Sequence, residues 1–395
     1  MNLNLKRKRL ILMIYWGESL REAERVREIS TSMIRKMFEI VAKAKKEGID
    51  VVSLSIGEPD FDTDERIIDF ACKAKKMGYT HYTSNLGLDE LREAIADRYH
   101  VDKDEVMVTA GGSEGLINAS LSFIDRGSEV IIPTPNFLSY FIYTKLCEAK
   151  TIQIRTHPEF KLDINKISES ASKKTSAIFL NYPNNPTGKV ETKKNLEAVL
   201  EIAEDCGAIV ISDEIYDQIY YEKKPVNLVD YENVVVVNGF SKSLAMTGWR
   251  IGFVIARKDL INTMLKVHQV NGVCAPAFAQ KAVAEAFACG IFDEFTSKIR
   301  NAFRERRDYI YRELKKLGFK AVKPEGAFYI FPEIPEYFEN CNEFVEKLVM
   351  NGVALTPGTP FGDGNERYVR ISYACSIESL KKAVERIKIF LDSQS

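Results

Sequence analysis

Residues 234–256 read VVVVNGFSKSLAMTGWRIGFVIA, and this stretch decides the fold class. Four consecutive valines predict a strand that is buried on both faces, as the strands of parallel sheets are. A turn rich in small residues follows, and a second apolar run ends the stretch. Lys242 therefore stands at the carboxyl end of a strand, where α/β sheets bind their ligands.

The same alternation of short apolar runs with helical stretches extends over residues 104–256. A helix over Lys193–Cys206 with a C-cap at Gly207 leads directly into the next run. The predicted strands are Glu105–Thr109, Glu129–Ile132, Thr151–Arg155, Ser176–Asn181, Ala208–Ser212, Val234–Val237 and Ile251–Ile255. The pattern predicts an α/β fold, a three-layer α/β/α domain around a mainly parallel seven-stranded sheet.

After residue 275 the pattern changes to that of a smaller α+β domain. A long helical stretch, broken near Gly290, precedes the run AFYIF, a helix near 342–351, the strand YVRISYA and a final helix over Ile377–Leu391. We expect an N-terminal arm over 1–27 and a segment over 28–60 that joins the small domain. The large domain is then expected over 61–290 and the small domain over 291–395.

Composition excludes several classes of protein. The 55 Lys and Arg nearly balance the 56 Asp and Glu, so no global charge attracts nucleic acid or anionic lipid. The seven cysteines are scattered without a CxxC pair, and the four histidines form no HExxH motif. We therefore expect no disulfide framework, no metal site, no nucleic-acid or membrane partner, and a reducing, cytoplasmic location.

The N-terminus resembles a signal peptide only in part. KRKR at residues 6–9 precedes the apolar run LILMIYW, but a charged segment follows instead of a cleavage site. The run is also too short to span a membrane. Two interpretations stay open, a loose arm or an extension that precedes a true start at Met13.

Polar residues follow several of the predicted strands. In GFSKSLAMTGWRIG, Lys242 lies in an apolar, Gly-rich turn eight residues before Arg250, a setting that lowers an amine's pKa and makes it nucleophilic. In SDEIY, Asp213 follows a buried strand and requires a cationic or hydrogen-bonding partner, with Tyr216 nearby. The simpler alternatives are a solvated lysine and an aspartate that caps a helix.

Two further loops carry potential ligand-binding groups. NYPNNPTG, residues 181–188, follows a strand, and its prolines hold Asn184 and Asn185 rigidly. AGGSEG, residues 110–115, lies between a strand and an apolar helix, whose N-terminal N–H groups suit a phosphate. An ordinary Pro-Asn turn and a plain tight turn are the alternatives.

Together, these motifs resemble the class I and II pyridoxal-phosphate-dependent aminotransferases of fold type I, with aspartate and aromatic aminotransferases as the nearest subgroup. The resemblance covers residues 28–391, and the motifs stand in the family's order and spacing. The segment Gly239–Gly252 matches the family's lysine-attachment pattern throughout.

The resemblance implies the catalytic residues. Lys242 is the lysine that binds pyridoxal 5′-phosphate covalently. Asp213 keeps the pyridine nitrogen protonated, so that the ring accepts electrons from the substrate. Tyr216 and Asn185 donate hydrogen bonds to the phenolic oxygen of the ring. The implied catalytic residues are Lys242, Asp213 and Tyr216.

The resemblance also implies the remaining cofactor contacts. Gly112, Ser113, Ser241 and Arg250 form the phosphate cup, which combines helix N-terminal amides, hydroxyls and a guanidinium group. Tyr82, in YTHYTSNLG, reaches the phosphate in the neighbouring subunit. The family pattern therefore implies a homodimer with shared active sites.

Four residues are implied in substrate binding. Phe137, in PTPNFLSY, stacks on the cofactor ring, and Gly57, in SIGEPDF, lets the substrate carboxylate approach. Arg370, in YVRISYA, binds that carboxylate through its planar fork. The implied substrate-binding set is Gly57, Phe137, Asn185 and Arg370. Each could instead have a structural role, as a turn glycine, a core aromatic or a salt-bridge arginine.

The implied function is a ping-pong transfer of an amino group between an L-amino acid and 2-oxoglutarate. Family frequency favours aspartate as the donor. Many aspartate-type members carry a lysine in the phosphate loop where this chain has Ser113, so aromatic, alanine and broad-range activities stay open. A pyridoxal-phosphate-dependent lyase of the same fold is a further alternative. A DNA-binding regulator built on this fold is disfavoured, because Lys242 is present and residues 1–27 are too short for a helix-turn-helix module.

Overall fold

The computed structural model describes residues 22–27, 29 and 33–394. Most of the predicted arm, residues 1–21, and the two interpretations of its start therefore lie outside the described residues. The strands are β1 (Val52–Ser53), β2 (Val106–Thr109), β3 (Glu129–Thr134), β4 (Lys150–Arg155), β5 (Thr175–Asn181), β6 (Ile209–Asp213), β7 (Val234–Gly239), β8 (Gly252–Ala256), β9 (Tyr329–Ile330), β10 (Val353–Ala354), β11 (Thr356–Pro357) and β12 (Val369–Ser372).

The helices alternate with the strands of the large sheet and then dominate the C-terminal third. They are α1 (Glu24–Arg27), α2 (Met33–Lys46), α3 (Glu65–Lys76), α4 (Asp89–Tyr99), α5 (Gly112–Phe123), α6 (Leu138–Leu146), α7 (Ile164–Ser170), α8 (Lys193–Cys206), α9 (Phe240–Ser243), α10 (Lys258–Asn271), α11 (Ala277–Ala288), α12 (Ile291–Lys316), α13 (Cys341–Met350) and α14 (Ile377–Asp392).

The large sheet has seven strands in the order β2-β8-β7-β6-β5-β3-β4. Strand β8 runs antiparallel to its neighbours β2 and β7, and the other pairs are parallel. The prediction of a mainly parallel seven-stranded sheet is confirmed. The sequence pattern did not reveal that β8 is reversed, because a strand buried on both faces is apolar in either direction.

Helices cover both faces of this sheet, as the continuous apolar runs predict. Along β7, Val234 and Val236 pack into one core cluster, while Val235 and Val237 pack into the other. Helices α5 and α10 supply Leu116 and other apolar residues to the second cluster. The three-layer α/β/α arrangement is therefore present, with two cores separated by the sheet.

The C-terminal part forms two small sheets beside the large one. Strand β1 pairs in parallel with β10, which ties the segment before residue 60 to the C-terminal region. Strands β11, β12 and β9 form an antiparallel sheet in that order. The break of the long helical stretch falls between α11 and α12, as the sequence predicts. The domain boundaries at residues 27, 60 and 290 stay predictions.

Helix α8 ends as its sequence predicts. Thr192 caps its first turn by accepting the N–H of Asn195 at 3.3 Å, and Gly207 caps its end in the left-handed conformation, with φ of 79°. No helix of the described residues is long and apolar enough to cross a lipid bilayer.

We expect Gly207→Ala to lower the free energy of unfolding by about 1 kcal/mol, because an L side chain is strained in the left-handed region. A Cβ at this position would meet no atom within 4 Å, so the strain is purely conformational. Gly248→Ala is the matched control, since Gly248 is exposed, has open space and has no positive φ. Urea unfolding of both variants measures the difference, and an equal change in both would contradict the assignment.

Candidate active site

A cavity of about 290 Å³ lies at the carboxyl ends of β5, β6 and β7, where the small sheets meet the large one. It brings together residues that are up to 315 positions apart in the sequence, from Ser55 to Arg370. The predicted site residues that line it are Gly57, Gly112, Ser113, Phe137, Asn185, Asp213, Tyr216, Ser241, Lys242, Arg250 and Arg370. Tyr82 is the one predicted residue that lies elsewhere.

Lys242 reaches into this cavity from α9, directly after β7. Its Nζ donates a hydrogen bond to the carbonyl oxygen of Gly57 at 2.7 Å. Burial lowers the pKa of Lys242 to about 8, although the carboxylate of Glu58 opposes the shift. A larger fraction of the side chain is thus the neutral amine at physiological pH than for an exposed lysine, and the neutral amine is the nucleophilic form.

Asp213 is the last residue of β6 and is buried. Burial raises the pKa of its carboxyl group to about 6, and a hydrogen bond from the Tyr140 hydroxyl to Oδ2, at 2.7 Å, opposes this rise. The N–H of Ile215 donates to Oδ1 at 3.1 Å. Residues 215–218 form a turn and no helix directly follows Asp213, so the alternative of a helix N-cap is wrong. A buried carboxylate held in this way favours a cationic ligand group.

The loop after β5 places Asn185 next to Arg370. The side chain of Asn181 fixes the loop, because its Oδ1 accepts the N–H of Asn185 at 2.8 Å and its Nδ2 donates to the carbonyl of Asp213 at 2.9 Å. The Oδ1 of Asn185 accepts from Nη1 of Arg370 at 3.0 Å. The remaining polar group of the Asn185 amide is therefore its NH₂, a donor.

Tyr216 follows Asp213 by three residues and also lines the cavity, and its hydroxyl is 2.9 Å from that of Tyr329. Burial raises the pKa of Tyr216 well above its usual range. The phenol therefore stays protonated at physiological pH and can donate a hydrogen bond to a ligand oxygen.

The Gly-rich loop and Arg250 form a cradle for an anion at the N-terminus of α5. Arg250 is held in place by hydrogen bonds to the carbonyls of Thr247, at 2.9 Å, and Ala110, at 3.3 Å. A Cβ on Gly111 would lie 2.6 Å from Nη2 of Arg250, so only glycine allows this approach. Free N–H groups, the helix dipole and a guanidinium group suit a phosphate.

Arg370 comes from β12 and is buried. Its Nη2 donates to the carbonyl of Ser55 at 2.7 Å, and its guanidinium lies 4.6 Å from the ring centroid of Tyr329. The Nε atom is buried and has no hydrogen-bond partner among the described residues. A buried cation with an unused donor that lines a cavity suits a ligand carboxylate.

Known proteins resemble this chain over most of its length. The profile of the family "Aminotransferase class I and II" matches residues 49–387. The chain belongs to the class I and II aminotransferases. It is 42% identical to a probable aspartate aminotransferase of Methanocaldococcus jannaschii over 379 residues, which cover 93% of this chain and 98% of the relative.

Two further proteins similar to this aminotransferase are named for different substrates. It is 36% identical over 382 residues to aromatic-amino-acid aminotransferase 2 of Thermococcus litoralis, with 93% of this chain and 97% of that protein covered. A double mutant of Thermus thermophilus aspartate aminotransferase superimposes with a TM-score of 0.91 at 35% identity, covering 94% of this chain and all of the other. The fold-type-I prediction is thereby confirmed.

Gly57 and Phe137 also line the cavity of the aminotransferase. A Cβ on Gly57 would overlap the Tyr329 hydroxyl, so the structure gives a packing reason for glycine at this position. Phe137 immediately precedes α6, and its ring packs edge-on against Tyr140 with centroids 5.6 Å apart.

Tyr82 is 83% exposed and lines a separate depression beside Tyr79, Pro276 and Phe278. Tyr82 does not line the active-site cavity of its own chain. A contact with the phosphate of a neighbouring subunit thus stays a prediction.

Sequence reasoning missed Tyr140, Asn181 and Tyr329, which all line the cavity. Tyr140 follows Phe137 by three residues and so lies on the same face of α6, a spacing that could have identified it. Asn181 is the last residue of β5, at the same sheet edge as Asp213. Tyr329 had no sequence signal beyond its place in an apolar run.

We expect Tyr140→Phe to lower kcat/KM about tenfold, because Asp213 loses a hydrogen bond that favours its charged form. The pKa of Asp213 should rise further, so the acid limb of the pH–rate profile should move to higher pH. Tyr231→Phe is the matched control, since Tyr231 donates to Glu197 at 2.9 Å outside the cavity. Equal profiles for the two variants would exclude a role for Tyr140 at Asp213.

Proposed function

We propose that this aminotransferase uses pyridoxal 5′-phosphate to move the amino group of L-aspartate to 2-oxoglutarate. The observation that carries the proposal is the convergence of Lys242, Asp213 and Arg370 on one cavity. We further propose that Lys242, Asp213 and Tyr216 are the catalytic residues.

The residues present fit the cofactor. The cradle of Gly112, Ser113, Ser241 and Arg250 suits its phosphate, since it combines a helix N-terminus, hydroxyls and a guanidinium group. The unused buried donor of Arg370 is left for the carboxylate of the amino acid. When bound, pyridoxal phosphate supplies an electron-accepting ring that stabilises negative charge at the substrate α-carbon.

The residues around the cavity have separate roles in the proposed reaction. Asp213, whose charged form the Tyr140 hydrogen bond favours, would hold a proton on the pyridine nitrogen. Tyr216 and Asn185 would donate hydrogen bonds to the phenolic oxygen, and Phe137 would pack against the ring. Nζ of Lys242, whose pKa burial lowers to about 8, takes the proton from the substrate α-carbon. The same arrangement serves the amino acid and the oxo acid in turn, which is a ping-pong reaction.

The choice of aspartate as the substrate rests on the similarity of this chain to aspartate aminotransferases and not on a particular residue of the cavity. Among the described residues, the cations that line the cavity are Lys242, Arg250 and Arg370, and each already has a proposed partner. Ser113 stands where a lysine would bind a distal carboxylate. Aromatic, alanine and broad-range activities are therefore the alternatives, together with a lyase reaction.

We propose a homodimer with shared sites, in the cytoplasm. Tyr82 is exposed beside Pro276 and Phe278, and Val270, near the end of α10, is 79% exposed. Exposed apolar side chains of this kind suit a surface covered by a second copy. Tyr82 would then reach the phosphate of the partner's site. The seven cysteines are all free, which suits a reducing compartment.

Reduction of the purified enzyme with borohydride, followed by peptide mapping, should place the cofactor label on Lys242. Lys242→Ala should keep part of the cofactor affinity but lose turnover and the label. Lys189→Ala is the control, since Lys189 pairs with Glu325 at 2.8 Å outside the cavity and should keep both. A label on any other lysine would overturn the proposal.

Arg370→Lys should weaken transition-state binding by about 2–4 kcal/mol. The resulting fall in kcat/KM should be equal for aspartate, phenylalanine and alanine, because all three share the α-carboxylate. Lysine keeps the charge but loses the planar fork. Arg307→Lys is the control, since Arg307 is buried against Tyr221 outside the cavity. A loss that differs more than about tenfold between aspartate and phenylalanine would assign Arg370 to the side chain instead.

The same assay decides the substrate. We expect aspartate to give the highest kcat/KM in the parent enzyme. A higher value for phenylalanine or alanine would select the corresponding alternative, and release of an oxo acid without a second substrate would indicate a lyase.

A further inference from the structure

Tyr329 has no role in the reaction described so far, yet it lines the cavity. It lies on β9, where it is opposite Ser372 of the strand that carries Arg370. The side chain is fully buried. A phenol buried beside a polar cavity requires a hydrogen-bond partner, and the identity of that partner indicates its use.

Three contacts define the position of Tyr329. Its hydroxyl is 2.9 Å from the hydroxyl of Tyr216. The guanidinium of Arg370 lies over its ring, 4.6 Å from the centroid. The backbone of Gly57 packs so closely against its hydroxyl that a Cβ there would overlap it. The hydroxyl of Tyr329 is thus confined to one position, directed at Tyr216.

The charges around the two phenols decide which of them donates. Arg370, on β12, lies over the ring of Tyr329, and it lowers the pKa of both hydroxyls while Asp213, at the end of β6, raises them. Phe328 and the backbone of Gly57 also contact the pair, and neither carries a charge. A cation over its ring favours release of the Tyr329 proton, which makes Tyr329 the better donor of the pair.

We propose that Tyr329 is a positioning residue that donates its hydroxyl proton to the oxygen of Tyr216. This bond orients the hydroxyl of Tyr216 and strengthens it as a donor to the phenolic oxygen of the cofactor, because hydrogen bonds in a chain polarise one another. The inference rests on the proposed function, which places Tyr216 at that oxygen.

The test uses the absorbance of the cofactor-loaded enzyme as a function of pH. A hydrogen bond donated to the phenolic oxygen favours the unprotonated form of the link between Lys242 and the cofactor. Tyr329→Phe keeps the ring but removes the donor, so the midpoint of the titration should rise. We expect a rise of about 0.4–1 pH unit, the net value of one hydrogen bond on the pH scale.

A matched control separates this effect from the general loss of a buried tyrosine pair. Tyr221 and Tyr373 form a second such pair, with their hydroxyls 3.0 Å apart, outside the cavity. Tyr373→Phe should leave the midpoint unchanged. A similar rise in both variants, or no rise in Tyr329→Phe, would overturn the proposal.

A double-mutant cycle shows whether Tyr329 acts through Tyr216. Tyr216→Phe should raise the midpoint by more than Tyr329→Phe does, and adding Tyr329→Phe to it should cause no further rise. Additive shifts would mean that Tyr329 acts on the cofactor by another route, contrary to the proposal. Failure of the proposed function is distinct, because the parent enzyme would then show no cofactor on Lys242 and no titration.

Discussion

The parallel register of β5, β6 and β7 is the constraint on which the site depends. Asn181 pairs with Asp213, and Asp213 pairs with Val237, so these strands end at nearly the same level. The polar residues that end or follow each strand therefore lie at the same edge of the sheet. Lys242 follows β7 by three residues and meets Asp213 there, although 28 residues separate them in the sequence.

The buried charges at this edge of the sheet explain why hydrogen bonds there join several separate parts of the chain. A cation such as Arg370 is costly to bury without partners. Its contacts with Ser55, Asn185 and Tyr329 supply these partners from three separate parts of the chain. The same contacts bind the segment before residue 60 and the small antiparallel sheet to the large sheet. The stability of the junction and the geometry of the site therefore rest on the same side chains.

The sequence predicted residues whose chemistry is visible in a local motif. Lys242 and Asp213 each follow an apolar strand run, and their positions at the sheet edge follow from that pattern alone. Tyr140, Asn181 and Tyr329 were missed because their importance comes from contacts between distant segments. The reversed direction of β8 was missed for a related reason, since strand direction depends on the connection and not on the apolar run.

The balance of charge in the cavity limits the ligands that fit it. Among the described residues that line it, Lys242, Arg250 and Arg370 are basic and Asp213 is acidic. Arg250 and Arg370 enter from different sides, one beside the N-terminus of α5 and the other from β12. A complementary ligand carries an anionic group toward each arginine and a cationic group toward Asp213. A phosphorylated pyridinium ring joined to an amino acid has this distribution of charge.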